Sequence, residues 1–201
     1  MTHHNIENIL AIYQLATPDE IAHGRRWYAE AKEACEIIAS RYNLPLFAVV
    51  GVCSALSPRN RWTRNVRDCE AVCAAFVAGG SEQAEAVKAC TFSANKRKAV
   101  AILEAQPSNF DGLQELLKGP KLCEFSGSIL GEDTVTIDGH AFCIWEGSRA
   151  TLANVPAIGV KLRRSIKADY REAAASLAGI TAAQLQAITW VTWRRLHGIT
   201  R

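Results

Sequence analysis

Leu113-Gln-Glu-Leu-Leu-Lys-Gly-Pro-Lys-Leu-Cys-Glu-Phe-Ser-Gly-Ser-Ile-Leu-Gly-Glu-Asp-Thr-Val-Thr-Ile-Asp138-Gly-His140-Ala-Phe142 carries the most specific pattern in the chain. Its apolar residues recur at helical spacing up to Leu117, and again from about Leu122 to Leu130. Lys118-Gly119-Pro120-Lys121 between them makes a tight turn. Gly131-Glu132-Asp133 is a loop, and Thr134-Val135-Thr136-Ile137 alternates as an extended segment or short strand. Asp138 then stands directly before a helix-like run, Gly139 to Trp145. The order is helix, hairpin, helix, extended loop, aspartate, helix.

Helical patterns dominate on either side. Pro18-Asp19 starts an amphipathic run from about Ile21 to Arg41, and Asn43-Leu44-Pro45 breaks it. Residues 46 to 56 predict an apolar helix that ends before Ser57-Pro58. A helix from about Thr63 to Val77 stops at Gly79-Gly80 and a short one follows over 81 to 90. A basic-faced helix spans about 94 to 105, and Pro107 separates it from one that Asp111 starts. After a loop at 146 to 157, basic helices are expected at about 159 to 177 and 181 to 196. His3 and His4 read as an exposed terminus. The expectation is an all-α fold, as one domain over 1–201 or two closely packed helical lobes.

Hydrophobic residues make up 49% of the 201 and charged residues 21%, a balance that excludes wholesale disorder. No apolar run reaches the roughly 18 residues that a membrane crossing needs. Met1-Thr-His-His-Asn5 has no basic stretch feeding an apolar core, so no secretory signal is expected. The seven cysteines mostly sit inside apolar helical patterns, with no CxxC pair and no four-cysteine cluster that could hold zinc or an iron–sulfur centre. Cys69 and Cys73 lie one helical turn apart without nearby partners. Buried thiols in a reducing cytoplasm, with no metal and no cofactor, are the expectation. A net charge of +3 is too small to point to nucleic acid by itself. Its distribution says more. Ser57 to Arg67 holds Arg59, Arg61, Arg64 and Arg67 and no acid, Lys96-Arg97-Lys98 is a second cluster, and Lys161, Arg163, Arg164 and Lys167 form a third. Such clusters can converge on a phosphate backbone, or each can be a solvated face.

The order around Asp138 resembles the helix-hairpin-helix DNA glycosylases of the endonuclease III-like superfamily. There a hairpin of the type Leu-Pro-Gly-Val-Gly-x-Lys-Thr-Ala leads through a helix and a loop into Val-Asp-Thr-His-Val. This chain offers Lys121 in the first place and Ile137-Asp138-Gly139-His140-Ala141 in the second. Gly51-Val-Cys-Ser-Ala-Leu-Ser-Pro-Arg-Asn-Arg-Trp-Thr-Arg-Asn65 looks like the family's early helix pair, whose turn probes DNA. Phe92 to Leu103 resembles its Asn-Ser-Lys-Ala helix, and Ile188 to Gly198 the helix that closes the catalytic lobe. The match covers roughly residues 44 to 198 in consistent order. It departs in the hairpin, which lacks the second glycine and contains Pro120, and in the absence of the four iron–sulfur cysteines of some members.

The resemblance implies a two-lobed helical bundle with the hairpin at about 111–130 and the aspartate loop at about 131–138. It implies a monomeric intracellular enzyme that flips a base out of double-stranded DNA and excises it, with no cofactor. Asp138 and Lys121 would be catalytic, and Arg59, Asn60, Arg61, Trp62, Arg64, Lys96, Lys118, Gly119 and His140 would bind DNA. Physics supports the aspartate independently. Breaking an N-glycosidic bond builds positive charge on the sugar, and a fixed carboxylate near C1′ stabilises it and can deprotonate a nucleophile. Asp138 can equally be only the N-cap of the helix it precedes. Lys121 can be a Schiff-base nucleophile, a phosphate contact or solvated. Asn60 or Trp62 can fill the hole a flipped base leaves, and Trp62 can equally be a core anchor. His140 can touch phosphate or simply pack, and Trp190, Trp193 and Arg194 at helical spacing read as core packing. Two further readings stay open: a glycosylase-fold transferase that modifies a hypermodified pyrimidine in DNA, and a non-catalytic DNA-binding module.

Overall fold

The computed structural model describes residues 4–151 and 154–199. Among them the chain is all-α, with ten helices and no strand. It divides into two compact units, Met1–Tyr28 with Gly131–Thr200, and Ala29–Leu130.

The second unit is built around one apolar helix. It contains the latter part of α2 (Pro18–Tyr42), then α3 (Leu46–Leu56), α4 (Trp62–Ala86), α5 (Ser93–Ala105), α6 (Phe110–Leu117) and α7 (Pro120–Leu130). Every residue of α3 from Ala48 to Leu56 is buried, as a helix apolar on all sides requires. α4, α5, α6 and α7 all pack against it. A Cβ on Gly51 would fall 2.5 Å from Leu113 Cδ1 and 2.9 Å from Ile102 Cγ2, so α5 and α6 rest on bare backbone there. The break expected at Gly79-Gly80 is a kink inside α4, where Gly80 takes φ +75° and ψ −163°. α7 starts at Pro120, a residue suited to the first helical position because it has no N–H to leave unsatisfied.

The first unit holds α1 (His4–Gln14), the start of α2, α8 (Gly139–Glu146), α9 (Val160–Ala175) and α10 (Ala182–Leu196). His4 is exposed, as expected, but it opens a helix not foreseen, α1, which packs on α8, α9 and α10 with Ile9 fully buried. His3 lies outside the described residues. Asn5 and Asn8 both donate to the Trp145 carbonyl, at 3.0 and 3.1 Å, and so satisfy the C-terminal end of α8. Thr17 and Glu20 form a reciprocal capping box at the start of α2, with bonds of 2.9 and 3.3 Å. One turn later a Cβ on Gly24 would lie 2.6 Å from Ile188 Cα, so the backbones of α2 and α10 touch directly.

Residues 134–137 are extended but pair with no strand among the described residues. Their alternation survives for another reason. Val135 and Ile137 enter the apolar core of this unit, whereas Thr136 meets the Tyr28 hydroxyl at 3.0 Å. Arg163 of α9 donates to the Ile137 carbonyl at 2.9 Å and pins the segment.

Candidate active site

Asp138 is the N-cap of α8. Its Oδ1 accepts from the backbone N–H of His140 at 3.0 Å and of Ala141 at 2.9 Å, and its carbonyl accepts from Phe142 at 3.0 Å. Both capping bonds fall on one oxygen. Oδ2 takes no part in the cap, and the residue as a whole is half-buried. The cap therefore fixes the carboxylate through one oxygen.

The surroundings come from α2, α9 and α10. Tyr170 of α9 is fully buried, and its hydroxyl has no hydrogen-bond partner among the described residues. Burial pushes this phenol well above its ordinary range; Thr189 beside it partly offsets the shift, and the negative charge of Asp138 adds to it. Tyr170 therefore remains protonated, with a donor to give and the Asp138 carboxylate within electrostatic reach. Tyr28 donates to Gln186 Oε1 at 2.6 Å, a contact that the bare backbone at Gly24 makes attainable. Beyond His140 lies a half-buried aromatic group. The Trp190 ring is 6.5 Å from that of His140 and 6.3 Å from that of Trp27, and the Arg194 guanidinium sits 4.4 Å over it. Burial pulls the Arg194 guanidinium below its ordinary value, and the Asp138 charge works against that shift. Trp193, by contrast, is a buried core residue.

In the second unit the basic residues are at the surface. Arg59, Arg61, Arg64 and Arg67 are exposed. Arg59 stands at φ +61°, a left-handed conformation uncommon outside glycine, with its guanidinium 5.6 Å over the exposed Phe92 ring. Asn60 is turned inward: Nδ2 donates to Asp68 Oδ2 at 3.0 Å, and the same oxygen accepts from Cys90 N at 2.8 Å. Trp62 packs edge-on against Phe125 at 6.4 Å. Lys96 is half-buried and donates to the Val87 carbonyl at 3.1 Å, next to the end of α4. At the hairpin, Lys118 takes the left-handed cap of α6 at φ +58°, Gly119 follows it, and Lys121 is exposed on the first turn of α7. Asp138 and His140 are thus brought together in the first unit, whereas Lys121, Lys118, Gly119, Lys96 and the residues from Arg59 to Arg64 belong to the second.

Nothing in the pattern of the sequence pointed to Gln186 or Tyr170; the segment from His23 to Tyr28 read only as packing over the cleft, and Arg194 only as core packing. A second unforeseen group is the thiol chain Cys35, Cys53, Cys69, Cys73, drawn from α2, α3 and α4 into the core of the second unit. Cys53 Sγ accepts from Asn65 Nδ2 at 3.2 Å, and the neighbouring Cys35 and Cys69 thiols hold it below the usual thiol range against the effect of burial, while Cys69 Sγ donates to the Val49 carbonyl at 3.6 Å. Cys35 and Cys69 are pushed up, first by their neighbour Cys53. All seven cysteines are free thiols, and among the described residues no group of three or more His, Cys, Asp or Glu is arranged to hold a metal. Among them, too, no helix is long and apolar enough to cross a membrane.

The family model that matches the chain, over residues 1–197, is that of a family of unknown function (DUF7178). No curated protein and no solved structure matches it.

Proposed function

The chain belongs to this family of unknown function, and we propose that it is an enzyme acting on a base in double-stranded DNA, with Asp138 as the carboxylate that breaks the N-glycosidic bond. The observation that carries the reading is the use of Asp138: both capping bonds fall on Oδ1, and a fully buried tyrosine hydroxyl that feels its charge has no partner among the described residues. An N-cap alone accounts for the first half of that description and not for the second. A buried unsatisfied hydroxyl costs about 1–3 kcal/mol, which a bound ligand or ordered water would recover. The half-buried rings of Trp27, Trp190 and His140 fit a planar base, and the exposed arginines of the second unit fit a phosphate backbone. The bundle would then be of the helix-hairpin-helix glycosylase type that the order of motifs resembles.

The test is single-turnover reaction on duplexes carrying uracil, hydroxymethyluracil, oxidised purines, alkylated bases or mismatches, read by mass spectrometry. Asp138→Asn is the right control, because asparagine caps a helix about as well as aspartate but cannot carry the charge or take the proton. Release of a free base that Asp138→Asn slows about 100-fold or more supports the reading. A heavier nucleoside with no abasic site would mean group transfer instead. Binding without any product would reduce the protein to a DNA-binding module. Borohydride trapping of a protein–DNA adduct, abolished in Lys121→Ala, would assign Lys121 as a nucleophile; without an adduct it is a phosphate contact or solvated.

A further inference from the structure

Heterolysis of a glycosidic bond creates two charges, and Asp138 answers only one of them. The sugar becomes positive, and the base departs with both bonding electrons. A second group, cationic and already in place, is needed for the base.

Arg194 supplies a cation beside the aromatic group that borders His140. Its guanidinium lies 4.4 Å over the Trp190 ring, which is 6.5 Å from the His140 ring, and the backbone N–H of His140 is bonded to Asp138 Oδ1 at 3.0 Å. The indole face attracts a cation and holds its plane. Arg194 is half-buried, so less water competes for its charge, and it feels the charge of Asp138. A fixed, partly dehydrated cation needs little reorganisation as charge develops, which is the condition under which electrostatic stabilisation is strongest.

We propose that Arg194 is a catalytic residue that takes up the negative charge of the departing base while Asp138 takes up the positive charge of the sugar, an inference that rests on the glycosidic-bond reading above. Water adds its oxygen to C1′, and its proton passes to the Asp138 carboxylate. The C1′–N bond breaks with both electrons on the base nitrogen, which then takes up the proton through solvent. One water is consumed for each base released. Trp190 acts through Arg194 and is a positioning residue.

The experiment compares leaving groups. Duplexes carrying uracil, 5-bromouracil, 5-fluorouracil, hypoxanthine or xanthine are incubated with wild type, Arg194→Gln and Arg194→Lys under single-turnover conditions. If Arg194 bears leaving-group charge, its removal hurts most where the base is a poor anion. Arg194→Gln is expected to slow uracil release about 100-fold and 5-fluorouracil release by roughly tenfold or less, with Arg194→Lys recovering part of the difference. A structural role would slow every base by one common factor, so a uniform loss, or no loss, overturns the proposal while Asp138-dependent excision keeps the wider reading. No base released from any duplex, with DNA still bound, overturns both. Arg194→Lys keeps the charge if Arg194→Gln fails to fold, and Trp190→Phe, which keeps an aromatic face under the guanidinium, is expected to retain the wild-type ordering of leaving groups.

Discussion

Two helices of this protein begin in opposite ways. α8 begins with an acid, Asp138, whose carboxylate accepts from its first free amides. α4 begins with Arg61, which makes no side-chain cap, and carries Arg64 and Arg67 on its opening turns with Arg59 just before it. The positive end of a helix dipole favours the first arrangement and disfavours the second, by about 0.3–1 kcal/mol for a charge on the terminal turn. Stability therefore explains the acid at α8 without any function, whereas it does not explain the cations at α4. A polyanion does. At α8 the proposed use rests instead on the buried Tyr170 hydroxyl, which has no hydrogen-bond partner among the described residues.

The largest expected effect breaks the comparison at α8. Asp138→Asn keeps the cap and should leave the thermal midpoint within a degree or two, yet lower base release by about 100-fold or more. If activity persists, Asp138 is a cap and nothing else, and the two helix starts differ only in stability. Next in size is Gly24→Ala, which concerns what delivers Tyr28 to Gln186. Its Cβ would meet the Ile188 backbone at 2.6 Å, and neither helix can give locally. A loss on the order of 3 kcal/mol is expected in denaturant unfolding. A loss below about 1 kcal/mol would mean that α2 and α10 part easily and that Tyr28 is not rigidly held.

The basic start of α4 is sharpened by the pair Arg61→Gln and Arg64→Gln. Each should reduce the slope of log affinity against log salt by about 0.9 for every phosphate it no longer neutralises, and should stabilise the free protein by a few tenths of a kcal/mol. Weaker binding together with greater stability is the signature of residues kept for a partner. Unchanged binding would return them to a solvated face. Tyr170→Phe makes the corresponding test in the first unit. Removing an unpartnered buried hydroxyl should raise stability by about 1 kcal/mol, and should lower activity if that hydroxyl serves a ligand.

Much of this was legible in the sequence, and the illegible parts share a cause. The apolar run at 46–56, the Gly79-Gly80 kink and the helices from α8 to α10 follow from local periodicity and punctuation, which do not depend on distant residues. α1 was missed because its main purpose is elsewhere: Asn5 reaches a carbonyl 140 residues along the chain. The alternation at 134–137 suggested a strand because any extended segment buried on two sides alternates, with or without a sheet. Asp138 stood out through its cap and its place after the hairpin. Tyr170 and Gln186 did not, and Tyr28 and Arg194 read only as packing residues, since each looks like an ordinary helical residue until α2, α9 and α10 are packed. The thiol chain was hidden likewise, by spacing over three helices.

The smallest effect concerns the other acid at a helix start, Glu20, and separates cap from charge by the same logic as Asp138→Asn. Glu20 bonds the Thr17 amide, and its oxygens accept from Arg195 at 2.7 and 3.1 Å. The Arg195 hydrogen bond, opposed by burial and helped by Thr17, holds its carboxyl below the ordinary value of 4.5. Because the folded pKa is the lower one, the stabilisation is complete above the ordinary value and disappears as pH falls through the folded value. Unfolding midpoints should therefore drop on acidification below about pH 4.5 by a little more than in Glu20→Gln. Glutamine also completes a capping box, so that variant retains the helix start and removes only the ion pair. The difference should be small, because the Arg195 side chain is 45% exposed and its attraction is screened by solvent. A Glu20→Gln protein whose acid limb coincides with that of wild type would mean that the cap alone matters there, and that charge at a helix start in this fold is kept only where a ligand uses it.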